Sequence, residues 1–167
     1  MVRLARPGDW PAMQVAFATA GKAAWTHLFD EEFLGRLAPP DRWRLAIEDS
    51  AQAVFVAEVE GSVAGFAIVH HSSDEDAGPE TGELDSFYVH AGYWGQGVGR
   101  ELLRAAVRRL AEMGFTTATL WTAELNHRPR RVYERAGWEL DGARRERSLG
   151  GRSFIELRYR RDLPDDS

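Results

Sequence analysis

Apolar and polar positions along the chain follow two periods, one typical of strands and one typical of helices. Alternating or continuous apolar runs predict strands over residues 2–6, 53–59, 63–70, 83–89, 116–122 and 138–140, and a closing hairpin of 144–149 and 153–159. Apolar residues three and four apart predict a helix capped by Asp9 and stopped by Gly21, then helices beginning near Asp30, Asp41, Val98 and His127. The mixture predicts one α/β domain over residues 1–163, with a frayed tail at 164–167.

Residues 82–114 combine a strand, a glycine-rich turn and an amphipathic helix. Gly92, Gly95, Gly97 and Gly99 fall within eight residues, so the backbone can turn tightly and approach another group without a Cβ in the way. The first N–H groups of the following helix have no intrahelical partner, and the helix dipole places about half a positive charge there. The turn therefore predicts a cradle for a phosphate or pyrophosphate.

Two common phosphate-binding motifs do not fit this turn. A Walker loop requires Gly-Lys-Ser/Thr, and the only lysine in the chain is Lys22, far from the turn. A dinucleotide-binding fingerprint requires a third glycine at the position of Arg100, after Gly95 and Gly97.

Two motifs resemble those of the GCN5-related N-acetyltransferases, the GNAT superfamily. Residues 94–99 read Trp-Gly-Gln-Gly-Val-Gly, similar to the family's acetyl-CoA-binding pattern Arg/Gln-x-x-Gly-x-Gly/Ala, with Trp94 where Arg or Gln is usual. Downstream, Asn126 and the run Tyr133-Glu134-Arg135-x-Gly137-Trp138 are similar to the family's Asn…Ala…Tyr-Glu-Lys-x-Gly-Phe, with Pro129 replacing the Ala. The two motifs and the order of elements around them extend the resemblance over almost the whole chain.

The resemblance implies a fold, a cosubstrate and a set of contacts. The fold is a mixed, mostly antiparallel sheet of six to seven strands flanked by about four helices. The reaction is direct attack of an acceptor amine on the thioester carbonyl of acetyl-CoA, without an acyl-enzyme. Backbone groups of Phe87 and Val89 are expected to pair with the pantetheine arm, and Asn126 to contact the cofactor where the two middle strands separate. The pyrophosphate is expected to lie on the amides of Gly95, Gln96, Gly97, Val98, Gly99 and Arg100.

Tyr133 is the candidate acid that the resemblance indicates for the leaving group. It follows Asn126 by seven residues, the family's spacing, and a phenol can lend a proton to the departing thiolate. The alternative is a half-buried helical tyrosine whose hydroxyl meets water.

Glu83 is the candidate base. It lies fourteen residues before Gly97, where lysine-acetylating members of the family carry a glutamate base, and alternation along the strand places Asp85 and Phe87 on its side. Neutralising an amine of pKa near 10.4 at pH 7 costs about 4.6 kcal/mol, against about 1 kcal/mol for an α-amine, so the base matters most for an alkaline acceptor. The alternatives are that Asp85 or only water serves as the base, or that Glu83 merely starts the strand and faces solvent.

The acceptor-binding side is less well defined by the sequence. In the family's arrangement the early helices wall one side of the acceptor site, which makes Trp25, His27, Phe29 and Trp43 candidates for substrate contact. Packing in the core or at its rim is the alternative for each of them. The acceptor is therefore a small-molecule or peptide amine of open identity.

Two polar clusters have simpler interpretations. The acidic loop 72–80 is typical of a solvated turn, and the alternative is that Asp74, Glu75 and Asp76 attract a cationic amine. Metal binding by His70-His71 is set aside, since adjacent histidines in a strand point to opposite faces and no third ligand stands near in sequence.

The amino-acid composition limits the chemistry, the location and the partners expected of the protein. The chain has no cysteine, which excludes disulfides, thiolate metal sites and a cysteine nucleophile. No run approaches about 18 apolar residues and no signal-like stretch is visible, so a soluble, cytoplasmic protein with no membrane partner is expected. A formal charge of −5 disfavours nucleic acid as a partner. Whether the chain forms a homodimer stays open.

An acetyl-CoA-dependent N-acetyltransferase is thus the predicted function, with two rivals from other classes. A non-catalytic acyl-CoA-binding sensor or interaction module would keep the phosphate cradle and perform no chemistry. A nucleotide-binding protein of another fold would bind ATP or NAD in place of CoA.

Overall fold

A computed structural model describes residues 1–25, 41–149 and 151–165, with the side chains of all these residues except 24 and 25. The helix predicted near Asp30 lies outside the described residues. None of the described helices combines the length and the apolar character that crossing a bilayer requires.

Seven strands of the described chain form one sheet. They are β1 (Val2–Leu4), β2 (Ala53–Val59), β3 (Ser62–His71), β4 (Thr81–Val89), β5 (Thr117–Ala123), β6 (Glu139–Leu149) and β7 (Arg152–Asp162). Their order across the sheet is β1-β2-β3-β4-β5-β7-β6, and every neighbouring pair is antiparallel except β4 with β5. The predicted mixed, mostly antiparallel sheet is confirmed.

The end of the chain forms fewer strands than predicted. The separate strand expected over residues 138–140 and the hairpin strand over 144–149 are one strand, β6, whose register with β7 shifts between Leu140 and Arg144. Gly142 lies in the shifted segment with a φ of 90°, a conformation that glycine adopts without a Cβ penalty. The glycine therefore interrupts the pairing without ending the strand.

Four α-helices of the described chain flank the sheet. They are α1 (Trp10–Trp25), α2 (Arg42–Glu48), α3 (Val98–Glu112) and α4 (His127–Arg135). The prediction that Gly21 stops α1 is wrong, because the helix continues to Trp25. A glycine inside a helix costs about 1 kcal/mol, and burial of Phe17 and Ala20 against the sheet offsets that cost.

The predicted helix caps are only partly realised. Asp9 lies in a 3-10 turn, Pro7–Asp9, before α1. Its carboxylate accepts the Arg6 N–H at 2.7 Å and pairs with Arg3 at 2.7 Å, so it closes the turn. Asp41 precedes α2 as predicted, but its side chain makes no hydrogen bond to the helix backbone.

The helices bury one core on each face of the sheet. On one face, α1 and α2 pack around Trp43 and Phe66. On the other face, α3 and α4 cover a larger core that includes Leu102, Leu110 and Trp138. Both faces of the central strands are therefore shielded from solvent, which explains their continuous apolar runs.

β4 contains a bulge at Asp85, because its register with β3 shifts between Ile68 and Val69. The extra residue reverses the alternation of side chains along the rest of the strand. Glu83 thus lies on the face covered by α1 and α2, whereas Phe87 packs on the core under α3 and α4. The expectation that Phe87 shares a side of the strand with Glu83 is wrong.

Candidate active site

β4 and β5 pair only where they begin and then separate. The parallel register joins residues 81–83 to residues 117–119, and beyond it a cavity of about 550 Å³ opens, lined by both strands. The wall of this cavity, which we call the strand cavity, contains Glu83, Phe87, Val89, Asn126 and Tyr133. The fold therefore gathers these five residues, selected from the sequence, in one place.

The glycine turn between β4 and α3 leaves a row of amides unpaired. Gly95 and Gly97 have φ angles of 79° and 84°, in the left-handed region that favours glycine. The N–H of Glu101 donates to the Gly97 carbonyl at 3.1 Å. In the described part of the chain, the amides of residues 95–100 have no hydrogen-bond acceptor. The geometry is that of the anion cradle predicted from the sequence.

A second cavity, of about 1130 Å³, lies against this turn and is surrounded by arginines. We call it the arginine cavity. Arg100, Arg104 and Arg108 reach it from one face of α3, and Arg135 and Arg161 reach it from the end of α4 and from β7. Guanidinium groups bind phosphate oxygens with two parallel hydrogen bonds. The cavity is therefore suited to a polyanion, although the formal charge of the chain is −5.

Sequence reasoning selected only one of these arginines, Arg100. Arg104 and Arg108 follow it at four-residue spacing, which places all three on one helix face, and this spacing was the signal that was missed. Arg135 and Arg161 meet the others only in the folded chain. The side chain of Val98 is buried in the core, so only its backbone N–H can serve the turn.

Trp94, which stands where the family has Arg or Gln, connects the two sides of the strand cavity. Its indole N–H donates to the Val89 carbonyl at 2.8 Å, and the Arg128 guanidinium from α4 lies 4.3 Å from the centre of its ring. One of the backbone groups expected to pair with pantetheine is thus already a hydrogen-bond acceptor. The carbonyl keeps a second lone pair for a further donor.

Glu83 lies in the wall of the strand cavity and is 7% exposed. The alternative in which it faces solvent at the start of the strand is wrong. His70 on β3 lies opposite Glu83 in the sheet. The Nε2 atom of His70 is 3.7 Å from Glu83 Oε2 and 3.4 Å from Asp85 Oδ1.

These three side chains form a compact cluster, with one nitrogen or oxygen atom of each within 4.8 Å of the others. No third ligand lies near His70 in the sequence, but the pairing of β3 with β4 brings two carboxylates to it in space. His71 points to the opposite face, as predicted, and its ring centre lies 5.8 Å from that of Phe115. Both ring nitrogens of His70 face oxygen acceptors, so an ion pair accounts for the cluster.

The environment shifts the pKa values of all three groups. Burial raises the pKa of the Glu83 carboxyl to about 7, with the charge of His70 opposing the shift. A hydrogen bond with Asp85 raises the pKa of the His70 imidazole to about 9, against desolvation. Burial would raise the pKa of Asp85, but hydrogen bonds from His70 and Ser86 lower it overall. A carboxyl with a pKa near 7 can accept a proton and release it at neutral pH.

Tyr133 and Asn126 face the strand cavity from α4 and from the residue before it. Tyr133 is 6% exposed, and its ring centre lies 5.6 Å from that of Phe87. Burial raises the pKa of its phenol above the ordinary value, so the hydroxyl keeps its proton at neutral pH. That hydroxyl has no hydrogen-bond partner within the described residues, and the buried Asn126 Oδ1 has none either. Both are polar groups that a bound ligand could satisfy.

The acidic loop has a structural use that the sequence did not reveal. Arg158 on β7 lies 3.1 Å from Asp74, 2.7 Å from Asp76 and 2.6 Å from Asp141. Asp74 also accepts the Trp121 indole N–H at 3.0 Å. The interpretation as a solvated turn is wrong for Asp74, and Arg158 already pairs with Asp74 and Asp76, two of the three acidic residues proposed to attract an amine.

The structure tests one of the aromatic candidates for acceptor contact, Trp43. Trp43 is fully buried in the core, and its indole N–H donates to Gln14 at 2.6 Å, so the core interpretation is the correct one. His27, Phe29 and the side chain of Trp25 lie outside the described residues. In the described chain, the lining of the strand cavity also includes residues that sequence reasoning did not select, among them Phe17, Arg42, Trp121, Arg145 and Arg147.

Comparison with known proteins agrees with this geometry. The model of the Acetyltransferase (GNAT) family matches residues 16–138. A probable N-acetyltransferase of Mycobacterium tuberculosis is 25% identical over 146 residues, which are 84% of this chain and 80% of that protein. The PaiA N-acetyltransferase from Thermoplasma acidophilum, solved with coenzyme A, has a TM-score of 0.78 at 15% identity, over 98% of both chains. The putative acetyltransferase yncA from Salmonella typhimurium, solved with acetyl-CoA, has a TM-score of 0.76 at 22% identity, over 100% of this chain and 95% of that one.

The fold and the family match define a transferase, with a turn of unpaired amides beside a cavity lined by the candidate acid and base. The family match covers most of the chain, and the relative in Mycobacterium is named an N-acetyltransferase. The protein belongs to the GNAT acetyltransferase family and is an enzyme of that class, as the resemblance predicted.

Proposed function

We propose that the protein transfers an acetyl group from acetyl-CoA directly to the amine of an acceptor. The observation that carries the proposal is the adjacency of two different environments. The unpaired amides of residues 95–100 and five arginines surround the arginine cavity, while Glu83 and Tyr133 face the strand cavity, and Val132 lines both. Acetyl-CoA matches this arrangement, because it has phosphates at one end and a thioester at the other.

The glycine turn and the arginines would hold the phosphates of the cosubstrate. Backbone N–H groups at a helix N-terminus bind anions without a side chain, so Trp94 in place of Arg or Gln does not remove the site. The pantetheine arm would follow the edge of β4 that β5 leaves unpaired beyond residue 83. Asn126, whose buried Oδ1 lacks a partner, would accept a hydrogen bond from the arm.

Glu83 would accept the proton of the acceptor amine, directly or through a water. Its carboxyl has a pKa of about 7 because it is buried, which matches the operating range of a general base. An amine becomes nucleophilic only when it is neutral, and an alkaline amine is mostly protonated at pH 7. The buried carboxyl therefore supports an acceptor with an alkaline amine.

Tyr133 would stabilise the departing thiolate. The phenol keeps its proton because burial raises its pKa above the ordinary value. An ordinary thiol has a pKa of about 8.5, so full transfer from the phenol is uphill unless burial also raises the pKa of the thiol. The phenol would therefore act first as a hydrogen-bond donor to the sulfur.

A binding measurement and a turnover measurement test the proposal together. We expect acetyl-CoA to bind by calorimetry and to raise the melting temperature, and an amine panel to release free thiol. Tyr133→Phe should lower kcat by about 10²-fold or more while the Kd for acetyl-CoA stays unchanged. Wild-type binding without turnover for any amine would favour the acyl-CoA sensor, and protection by ATP or NAD but not by CoA would refute the proposal.

A further inference from the structure

His70 is a partly buried ionisable group that the proposed chemistry does not use. Its side chain is 20% exposed and lies opposite Glu83 in the pairing of β3 with β4. No other cation among the described residues lies within 4.0 Å of the Glu83 carboxylate. The position is therefore suited to act on the charge of the proposed base.

The hydrogen-bonding partners of the His70 ring determine its charge. Nδ1 is 2.6 Å from the carbonyl oxygen of His71, and a carbonyl oxygen only accepts, so Nδ1 carries a hydrogen. Nε2 faces carboxylate oxygens of Asp85 at 3.4 Å and of Glu83 at 3.7 Å, and ionised carboxylates also only accept. With both carboxylates ionised, a neutral imidazole would direct a lone pair at them. The arrangement fits an imidazolium with a proton on each nitrogen.

The other charges around Glu83 make this cation important. The negative charges of Asp74 and Asp85 disfavour the ionised form of Glu83, and the positive charge of Arg145 favours it. Arg145 is also paired with Glu156 at 2.8 Å. Further charges act on the rest of the cluster, Asp49 on His70 and Arg42 on Asp85. Without His70, Glu83 would be a buried carboxyl beside two other carboxylates.

We propose that His70 is a positioning residue of the active site, and that as an imidazolium paired with Asp85 it keeps Glu83 ionised and fixed toward the strand cavity. This role rests on the proposed function, because it serves a base that acts on an amine. His70 does not line the strand cavity, so it acts through Glu83. It favours the carboxylate form of Glu83 against the effect of burial.

The pH dependence of catalysis tests the proposal. In His70→Gln, which keeps a side-chain donor but no charge, the acidic limb of kcat/KM should shift to higher pH by about one unit or more. The rate with an alkaline amine should then fall about fivefold or more at pH 7 and recover above pH 9. His71→Gln is the matched control, because this neighbouring histidine points to the opposite face, and its profile should not move. An equal loss at every pH, with no shift of the limb, would show a merely structural role and overturn the proposal.

A second measurement does not depend on turnover or on a folded His70 variant. In wild-type protein labelled with ¹⁵N at histidine, both ring nitrogens of His70 should show the protonated chemical shift at pH 7.5. In Asp85→Asn the titration midpoint of His70 should move toward 6.5, the value of a free imidazole. A deprotonated Nε2 at pH 7.5 in the wild type would refute the proposal. Failure of acetyl-CoA to bind would instead refute the proposed function, while the titration would still report on the ion pair.

Discussion

The anion cradle can be tested by adding one methyl group at Gly97. This residue has a φ of 84°, and a Cβ built on it would meet nothing nearer than Arg100 Nη2 at 3.9 Å. Gly97→Ala therefore adds no clash, and its cost is the conformational penalty of an L-residue in the left-handed region, about 1–2 kcal/mol. For a domain of this size, each kcal/mol corresponds to about 2–4 °C in melting temperature, so a fall of about 2–8 °C is expected.

The effect on the cofactor should exceed this loss of stability. The new methyl group would occupy open space beside the unpaired amides, where a pyrophosphate must approach closely. Relaxation of the strained turn would also move the N–H groups of Val98 and Gly99. We expect the Kd for CoA to rise about tenfold or more, which corresponds to about 1.4 kcal/mol. Calorimetry with CoA and a thermal melt of the free protein measure the two effects separately.

Gly61 in the β2–β3 hairpin provides a matched control. Its φ is 79°, and a Cβ there would meet nothing within 4 Å. Gly61→Ala should therefore lower the melting temperature by a similar amount and leave the Kd for CoA unchanged. If Gly97→Ala bound CoA as tightly as the wild type, or if Gly61→Ala weakened binding equally, the cradle would not be the source of the affinity.

Two other substitutions test neighbouring parts of the site. Trp94→Gln restores a residue usual in the family and removes the indole hydrogen bond to Val89. The free energy of unfolding should therefore fall by about 0.5–1.5 kcal/mol. The Kd for CoA, measured by calorimetry, should change less than about threefold, because backbone amides hold the phosphates. A larger change in Kd would mean that the side chain itself binds the cosubstrate. Glu83→Gln should lower kcat/KM for an alkaline amine at pH 7 by about 10²- to 10⁴-fold and much less for an α-amine; equal losses for both acceptors would contradict its role as a base.

Local signals in the sequence predicted the glycine turn and the grouping of the candidate residues around one cavity. The glycines between β4 and α3 determine the turn because the left-handed conformation is a property of single residues. The seven-residue spacing of Asn126 and Tyr133 places both against the same cavity through the geometry of one helix. The pattern of apolar residues likewise predicted the strands of the sheet, because strands buried on one face alternate apolar and polar residues and strands buried on both faces are continuously apolar.

Side-chain partners remote in sequence were not predictable in this way. Arg158 pairs with Asp74, 84 residues away, and so ties the acidic loop to β7 through a partly buried ion-pair network. Trp43 is a fully buried core residue, although its sequence context also allowed a place in the acceptor wall. No local pattern encodes which charged or aromatic side chains meet after the strands have paired.

By itself, the sequence determined the fold class, the glycine turn and the motif around Tyr133, since each depends on residues close together in the chain. Only the tertiary structure decided the surroundings of the proposed base. The bulge at Asp85 turned Phe87 to the opposite face, and the pairing of β3 with β4 placed His70 behind Glu83. These features depend on strand register, and a shift of one residue moves a side chain to the other face of a sheet.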